Sequence, residues 1–199
     1  MIEIDCQQGS EEWYEARLGF VTSSNFHKVL NKRTGRGLYM RKLAAERLTG
    51  FAEESYHNNI MENGNLTEDE ARGFYEAAND LTIRRVGFVI RDKDVGGSPD
   101  GLVGEDGIIE IKCPLSSTHI EYIMSNRLPA CYVPQVQGLL WVTGRQWCDF
   151  ISYDPRVVSM PLNIVRVERD VEYIKELAGK VGLFVKELKD MVKKIDSKF

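Results

Sequence analysis

The sequence lacks several features that assign a chain to a common class of protein. No uncharged run approaches the roughly 20 apolar residues that a membrane-spanning helix requires, so no membrane association is expected. The four cysteines, Cys6, Cys113, Cys131 and Cys148, form no C-x-x-C pair. This spacing favours reduced thiols in a cytoplasmic protein and disfavours a disulfide framework or a cysteine-ligated metal cluster. The acidic start, residues 1–5, is too short and too polar for a signal peptide.

The sequence also lacks a strong excess of charge of one sign. Its 199 residues include 26 Lys and Arg against 30 Asp and Glu, which gives a formal net charge of −4. Bulk electrostatics therefore does not indicate a cationic nucleic-acid binder. The charge is uneven, because residues 31–48 hold six Lys and Arg against the single acid Glu46, and residues 53–80 hold eight Asp and Glu against Arg72 alone. This distribution suits phosphate contacts beside a metal site, and it suits two solvated helix faces equally well.

Composition and periodicity predict a globular α/β or α+β protein. The chain is 43% hydrophobic and 28% charged, which is ordinary for a folded domain, and its length fits one domain over residues 1–199. Apolar spacing predicts helices at about 10–19, 23–31, 38–48, 64–78, 116–125, 132–142 and 170–195. Apolar or β-branched runs predict strands at about 81–90, 100–103, 107–113, 146–153 and 162–168.

The most informative pattern combines two carboxylates and a lysine. Asp100 lies in the turn Ser98-Pro99-Asp100-Gly101, and nine residues separate it from Glu110-Ile111-Lys112. In an apolar strand at 107–113, the side-chain period of two places Glu110 and Lys112 on the same face. Desolvating both groups is costly unless a ligand uses them. The spacing matches the metal-dependent nuclease motif that is written PD-(D/E)xK.

The Asp100, Glu110 and Lys112 side chains suit phosphodiester hydrolysis. Hard oxygen ligands favour Mg²⁺, with Mn²⁺ as a substitute. Two such ions, about 3.5–4 Å apart, would activate a water molecule and stabilise the leaving 3′ oxygen. Lys112 would orient or deprotonate that water and balance the charge of the transition state. A simpler interpretation stays open, in which Asp100 belongs to a β-turn and Glu110 and Lys112 form an edge-strand salt bridge.

Three further segments are compatible with a phosphate substrate. Arg17 precedes a hydroxyl-rich helix start, Thr22-Ser23-Ser24, which suits a bound phosphate, although a helix end followed by an N-cap has the same residues. Glu68 could add a carboxylate beside the metal, but taken alone it is typical of a solvated helix face. Gln135 opens a predicted helix, where its amide could orient water or phosphate, or simply face solvent.

Taken in order, these segments resemble the YqaJ-type viral recombinases, the family of phage lambda exonuclease. The resemblance extends from about residue 13 to residue 153. It rests on Arg17-Leu18-Gly19 with Thr22-Ser23-Ser24, Glu68 with Ala71-Arg72, Ser98-Pro99-Asp100-Gly101, Glu110-Ile111-Lys112-Cys113-Pro114, Gln135-Val136-Gln137 with Trp141-Val142-Thr143, and Tyr153-Asp154-Pro155-Arg156. Several spaced matches in one order are more specific than any single one.

The resemblance implies an α/β, restriction-endonuclease-like fold, in which helices flank a central mixed sheet. It implies a single exonuclease domain, with a catalytic core at about 13–156. The implied activity is a Mg²⁺-dependent 5′→3′ exonuclease that degrades one strand of linear double-stranded DNA from its ends. The 3′ overhangs would serve homologous recombination in a phage or prophage. A ring-shaped homotrimer, a single-strand annealing protein as partner and a location in the cytoplasm of the bacterial host cell are implied as well.

The resemblance also implies roles for individual residues. The metal ligands are Asp100, Glu110, the main-chain carbonyl of Ile111 and, on the side of a second ion, Glu68. Lys112 is catalytic, and Gln135 supports the nucleophile or a metal-bound water. The terminal 5′-phosphate is held by Arg17, Ser24 and Thr22.

Four basic residues are expected to contact the DNA, namely Lys32, Arg33, Arg36 and Arg41. Two other functions stay open. The first is an endonuclease or junction-resolving enzyme on the same fold, which the cutting of covalently closed circular DNA would favour. The second is a DNA-end-binding recombination module without catalysis, which binding without metal-dependent release of mononucleotides would favour.

Overall fold

A small sheet forms from four short strands that are distant in the sequence. The computed structural model describes residues 1–31, 35–52 and 59–197. The strands are β1 (Ile2–Ile4), β2 (Val21–Thr22), β3 (Phe88–Ile90) and β4 (Val95–Gly97), and their order is β1-β3-β4-β2. β2 runs parallel to β4, with Thr22 opposite Gly96, and the other pairs are antiparallel. The hydroxyl-rich segment after β2 therefore starts beside the end of β4.

A second sheet contains the longer strands. They are β5 (Gly101–Val103), β6 (Gly107–Lys112), β7 (Trp147–Tyr153) and β8 (Leu162–Glu168), in that spatial order. β6 and β7 are parallel, with Lys112 opposite Ser152, while the other pairs are antiparallel. Because β5 begins at Gly101, opposite Ile109, the last three residues of β6 extend beyond it. The candidate site forms at this open edge.

Helices cover both faces of the second sheet. Those in the described residues are α1 (Glu11–Arg17), α2 (Phe26–Leu30), α3 (Arg36–Thr49), α4 (Asn59–Asn79), α5 (Ser116–Ser125), α6 (Val133–Thr143) and α7 (Val171–Asp196). Short 3₁₀ turns, Ser23–Asn25 and Ala130–Tyr132, lead into α2 and α6. None of the helices described is both long and apolar enough to cross a membrane.

Local side-chain chemistry explains where several helices begin and end. The Ser10 side chain accepts a hydrogen bond from the Trp13 nitrogen before α1, and the Asp170 side chain accepts one from the Tyr173 nitrogen before α7. Gly50 and Gly144 end α3 and α6 in the left-handed conformation, which glycine adopts without steric cost. These signals are local, so the helices could be predicted from the sequence to within a few residues.

The hydrophobic core has two parts, one on each face of the second sheet. On one face, Ile108 and Phe150 pack in a cluster with residues of α2, α3, α6 and α7, among them Phe184. On the other face, Ile109 and Ile151 pack in a cluster with residues of α4. The alternation along β6 therefore buries its apolar residues on both faces and leaves its polar end at the edge.

The structure corrects three details of the sequence predictions. The expected central mixed sheet consists of two four-stranded sheets. The strand predicted at 81–90 is limited to β3, because the Ile83 nitrogen donates to the Glu76 side chain at 2.7 Å and only Arg84 forms an isolated bridge, to Leu102. Ser116, which the sequence predicts as the cap of α5, is instead the first residue of that helix, and none of the described side chains caps it.

Candidate active site

The turn between β4 and β5 places Asp100 against the open end of β6. The Asp100 nitrogen donates to the Ile109 carbonyl at 3.2 Å, and its Oδ2 accepts from the Ile111 nitrogen at 2.6 Å. The N–H and C=O of one strand residue point to the same neighbouring strand, so the Ile111 carbonyl also points toward this edge. Asp100 and the Ile111 carbonyl, two of the predicted ligands, therefore lie together.

Glu110 and Lys112 share one face of β6, as their spacing predicts. Glu110 is 1% exposed, and its Oε1 accepts hydrogen bonds from Lys112 Nζ and, at 2.5 Å, from Gln135 Nε2 at the start of α6. The other oxygen, Oε2, is buried without a hydrogen-bond partner in the protein. The Lys112 ammonium also lies 5.3 Å from the ring centroid of Tyr132. Three of the predicted site residues therefore form one hydrogen-bonded group.

Glu68, on α4, is linked to the turn of Asp100 through the side chain of Arg72. The buried Arg72 donates from Nε to the Asp100 carbonyl at 3.2 Å and from Nη2 to Glu68 Oε1 at 2.8 Å, and its Nη1 bonds Asp69. One guanidinium thus connects the helix that carries Glu68 with the turn that carries Asp100. Its planar fork suits this role because it can bond several oxygens at once.

Burial raises the pKa of all three carboxyl groups. It raises the pKa of Glu110 to about 8, with Asp100 adding to the shift and Lys112 opposing it. It raises the pKa of Glu68 to about 7, with Asp100 again adding and Arg72 opposing. The pKa of Asp100 is raised by burial as well, against the effects of Lys112 and the Ile111 amide. Acids that are buried and repel one another in this way would be stabilised by added positive charge.

Lys112 remains a cation in this arrangement. Burial alone would lower the pKa of Lys112, but the Glu110 and Asp100 carboxylates outweigh burial, so the pKa is raised. The side chain is partly exposed, and its ammonium can donate further hydrogen bonds. It can therefore stabilise negative charge that develops near the carboxylates.

The donor set fits a divalent cation such as Mg²⁺. The unpartnered Oε2 of Glu110 is a buried acceptor that is costly to leave without a ligand. Within the described residues, no three Asp, Glu, His or Cys side chains are grouped as a complete metal site. Mg²⁺ does not require such a group, because it binds through one or two carboxylates and keeps several waters. Asp100, Glu110 and the Ile111 carbonyl supply ligands of that kind.

Arg17 lies beside the same turn. Its Nη1 donates to Ser98 Oγ at 2.7 Å, and its guanidinium carbon lies 4.1 Å from the ring centroid of Trp13. Trp13 Nε1 donates to the same Ser98 oxygen at 2.9 Å. Burial lowers the pKa of Arg17 to about 10, so the guanidinium is still charged at neutral pH. Because Ser98 precedes Asp100 by two residues, Arg17 is fixed close to the acidic centre.

Thr22 and Ser24 lie close to each other near the end of β4. Their hydroxyl oxygens are 3.3 Å apart, and Thr22 Oγ1 accepts from Asn25 Nδ2 at 2.9 Å. The intervening Ser23 packs on Gly97, where an added Cβ would lie 2.6 Å from the serine oxygen. In the described part of the chain, no hydrogen bond joins Ser24 to Arg17. The three predicted phosphate ligands thus form two groups that adjoin Gly97 and Ser98, which are consecutive in the chain.

Two of the four residues predicted to contact DNA, Arg36 and Arg41, lie in the described part of the chain. Arg36 forms a two-fold ion pair with Glu187 of α7, at 2.9 and 3.0 Å, and Arg41 is exposed on α3. Lys32 and Arg33 lie outside the described residues. Arg36 is therefore held against the body of the protein, whereas the Arg41 side chain is accessible from solvent.

Sequence reasoning assigned no role to the residues that hold the site together. Arg72, Ser98 and Trp13 all lie in or near the segments that carry the family resemblance. Arg72 and Ser98 each bond a residue with a predicted role, and Trp13 bonds Ser98. Their position in those segments was the available signal. Apart from the bond between Arg72 and Glu68, these contacts span 28 to 85 residues of sequence, so only the tertiary structure reveals them.

The sheet, its helices and the acidic edge define a class of protein, the restriction-endonuclease-like α/β fold, and the expected fold class is confirmed. The chain belongs to the YqaJ-like viral recombinase family, whose domain model matches residues 12–146. The family resemblance seen in the sequence is thereby confirmed.

Solved structures show how far the similarity extends. An alkaline exonuclease from Laribacter hongkongensis, LHK-Exo, is 40% identical with a TM-score of 0.88, and the match covers 95% of this chain and 97% of that one. The same exonuclease in complex with dAMP is 41% identical, with a TM-score of 0.89 and the same coverage.

More distant relatives are also similar. A phage-related exonuclease from Haemophilus somnus 129PT shares the fold at 17% identity and a TM-score of 0.65, over 88% of this chain and 96% of that one. The uncharacterized Escherichia coli (strain K12) protein ExoD is 29% identical over 68 residues, which are 34% of this chain and 78% of that protein.

Proposed function

We propose that this protein is a Mg²⁺-dependent 5′→3′ exonuclease, with Mn²⁺ as a substitute ion. It would degrade one strand of linear double-stranded DNA from its ends and leave 3′ overhangs for homologous recombination in a phage or prophage. The observation that carries the proposal is the convergence of Asp100, Glu110 and Lys112 at the edge of β6, with one buried Glu110 oxygen left without a partner. The similarity to LHK-Exo over nearly the whole chain supports it.

The carboxylates would hold two ions. Asp100, Glu110 and the Ile111 carbonyl would hold one ion, and Glu68 would contribute on the side of the other. When bound, such ions lower the pKa of water and stabilise charge on the leaving oxygen of the phosphodiester. The structure of LHK-Exo with dAMP supports release of mononucleotides, because dAMP has the chemistry of such a product.

Lys112 and Gln135 would act on the attacking water and the scissile phosphate. The water oxygen attacks phosphorus as the bond to the 3′ oxygen breaks, so negative charge grows on the phosphate oxygens. The charged Lys112 ammonium would donate hydrogen bonds to those oxygens or to the water. Gln135 donates to Glu110 and so fixes the carboxylate, while its amide oxygen can accept from the water.

The polarity would come from the residues near Gly97 and Ser98. Arg17, Thr22 and Ser24 would bind the terminal 5′-phosphate, since a guanidinium and hydroxyl groups are suitable phosphate donors. The basic residues Lys32, Arg33, Arg36 and Arg41 would contact the DNA backbone farther from the reacting bond. This arrangement would keep the enzyme attached to one end between cuts.

The test is digestion of a 5′-phosphorylated linear duplex, with product lengths followed in time. We expect mononucleotide release that requires Mg²⁺ and stops in Asp100→Ala and Lys112→Ala. Lys180→Ala is the matched control, because Lys180 is an exposed lysine on α7 that pairs with Glu176. Full degradation by either active-site variant would refute the proposal, and cutting of closed circular DNA would favour an endonuclease.

Assembly and location are proposed from the family resemblance. We propose one exonuclease domain over residues 1–199 that forms a ring-shaped homotrimer and works with a single-strand annealing protein in the cytoplasm of the bacterial host. Light scattering tests the assembly directly, since a trimer has three times the mass of the chain. A monomer at working concentration would rule out the ring.

A further inference from the structure

The segment Asp154-Pro155-Arg156 follows β7 and takes no part in the proposed catalysis. The Asp154 side chain is 1% exposed, and it accepts three hydrogen bonds from Arg156. These come from the main-chain nitrogen and Nε to Oδ1, at 3.0 and 2.8 Å, and from Nη2 to Oδ2 at 2.9 Å. A buried carboxylate thus fixes one guanidinium in a single orientation.

The guanidinium itself is open to solvent. The Arg156 side chain is 64% exposed, and Asp154 is the only acid that it pairs with among the described residues. The carboxylate uses the Nε hydrogen and one Nη2 hydrogen, which leaves three of the five N–H donors for a ligand. An ordinary surface ion pair has both partners exposed and gains little from ordering them. In this pair the acid is buried and only the cation faces outward.

The position of Arg156 places it at the same edge as the acidic centre. Lys112 and Ser152 are opposite each other in the parallel pair of β6 and β7, so Asp154 follows only two residues beyond that level. Ligands of α/β sheets bind at such carboxyl ends of parallel strands.

The acidic centre needs nearby cations if a DNA backbone is to approach it. Lys112 pairs with Glu110, and Arg72 pairs with Glu68 and Asp69, so both cations are engaged by acids of the centre. Arg156 is engaged through one side of its guanidinium and has its other side free. A planar guanidinium with two adjacent free donors suits a phosphate group.

We propose that Arg156, oriented by Asp154, binds a DNA backbone phosphate beside the scissile bond. This inference rests on the proposed function, because it assumes a DNA substrate at the edge of β6. Arg156 would act in substrate binding and not on the reacting atoms. Its loss should therefore raise KM for DNA and leave kcat within about twofold. An interaction that is equally strong in the bound ground state and in the transition state affects KM alone.

The test separates binding from cleavage. A fluorescent 5′-phosphorylated duplex is titrated in EDTA with Lys112→Ala protein, so that no hydrolysis occurs. Adding Arg156→Gln should weaken binding roughly tenfold and reduce the slope of log affinity against log salt by about 1, as expected for one lost phosphate contact. Arg166→Gln is the matched control, because Arg166 is an exposed arginine on β8, 50% accessible, that pairs with the buried Asp149 of β7.

A second variant shows whether weaker binding results from misfolding. Arg156→Gln leaves Asp154 buried and unpaired, whereas Asp154→Asn with Arg156→Gln removes both charges and keeps amide hydrogen bonds. Weaker binding and a reduced salt slope in both variants, but not in the control, support the inference. Unchanged affinity and slope in both variants, or an equal loss in the control, overturn it. If the wild-type chain neither binds nor cleaves DNA, the proposed function fails as well.

Discussion

The carboxylate of Asp100 accepts a hydrogen bond from the main-chain nitrogen of Ile111 at 2.6 Å. This bond joins the turn after β4 to the part of β6 that extends beyond the first residue of β5. It satisfies an N–H that has no strand partner on that side, and it fixes Asp100 near Glu110. The same carboxylate therefore has a structural role and a proposed chemical role, and the two can be separated by substitution.

Asp100→Asn should keep the structure and lose the activity. The amide oxygen of asparagine can still accept from Ile111, so the midpoint of thermal unfolding should change little. The negative charge is lost, however, and we expect at least about 10²-fold slower digestion of linear duplex, because charge stabilisation by a bound ion is a contribution of several kcal/mol. The measurement is the initial rate at several Mg²⁺ concentrations.

The control for this substitution is Asp106→Asn. Asp106 is an exposed acid in the turn between β5 and β6, on the same chain segment but away from the open edge. Its replacement should leave the rate unchanged. A normal rate in Asp100→Asn, with folding intact, would contradict the assignment of Asp100 as a metal ligand.

Arg72→Lys should weaken the response to Mg²⁺. A lysine cannot bond Glu68 and the Asp100 carbonyl in the way that the fork of Arg72 does. We expect the Mg²⁺ concentration for half-maximal activity to rise roughly 10- to 100-fold, as for other residues that orient metal ligands. Saturating Mg²⁺ should restore much of kcat.

Arg85→Lys is matched to this change, because Arg85 is an exposed arginine that pairs with Asp69, as Arg72 does. It should leave the Mg²⁺ midpoint in place. If Arg72→Lys lowered thermal stability but had the same midpoint as the wild type, Arg72 would be a structural residue only.

Much of this architecture could be predicted from the sequence, and the reason lies in local geometry. Glu110 and Lys112 had to share a face because strand side chains alternate, and Ile109 and Ile111 had to be buried opposite them. No comparable local pattern in the sequence predicts that the strands divide into two sheets. It depends on three-residue and two-residue strands, β1 to β4, that pair over long distances.

The supporting contacts were beyond prediction for a related reason. Ser98 could be recognised as part of a turn, but nothing local indicated that both Arg17 and Trp13 would donate to its hydroxyl. The sequence around Arg72 is likewise typical of a solvated helix face, on which Glu68 and Asp69 alone could pair with the arginine. Its bond to the Asp100 carbonyl exists only because α4 packs against the turn.

The protein without divalent ions should lose stability as pH rises from about 5 to 8. Burial raises the pKa of Glu110 to about 8 and that of Glu68 to about 7, above the ordinary value of 4.5. Between those values the folded chain binds more protons than the unfolded chain, so the free energy of unfolding falls with rising pH. The stabilisation that comes from these raised pKa values is fully present below about pH 4.5 and is lost as pH passes 7 to 8.

The measurement is the thermal midpoint in EDTA across this pH range, repeated with Mg²⁺. We expect the midpoint to fall in EDTA, and Mg²⁺ to raise it more at pH 8 than at pH 6, because ions compete with protons for the same carboxylates. Glu110→Gln removes one of the titrating groups and should flatten the slope. A wild-type midpoint that stays level or rises in EDTA would show that these carboxyl groups do not control stability.

Arg17→Gln should slow digestion of a 5′-phosphorylated duplex more than digestion of a 5′-hydroxyl duplex. Arg17 is stacked on Trp13 and bonded to Ser98, and its guanidinium keeps its charge because even the lowered pKa is about 10. We expect digestion of 5′-phosphorylated duplex to slow roughly 10- to 100-fold, which corresponds to the loss of a charge-assisted hydrogen bond. The rate on 5′-hydroxyl duplex should change little, since that end lacks the bound group.

The two substrates separate phosphate binding from a structural role. If Arg17 only positioned the turn through Ser98, then Asp100 would shift and both substrates would slow by the same factor. Arg91→Gln provides the control, because Arg91 also stacks on a tryptophan, Trp141, and donates to its carbonyl at 2.6 Å. If the wild type and Arg17→Gln each digested 5′-phosphorylated and 5′-hydroxyl duplex at equal rates, the 5′-phosphate would not be recognised here. The proposed polarity would then need another origin.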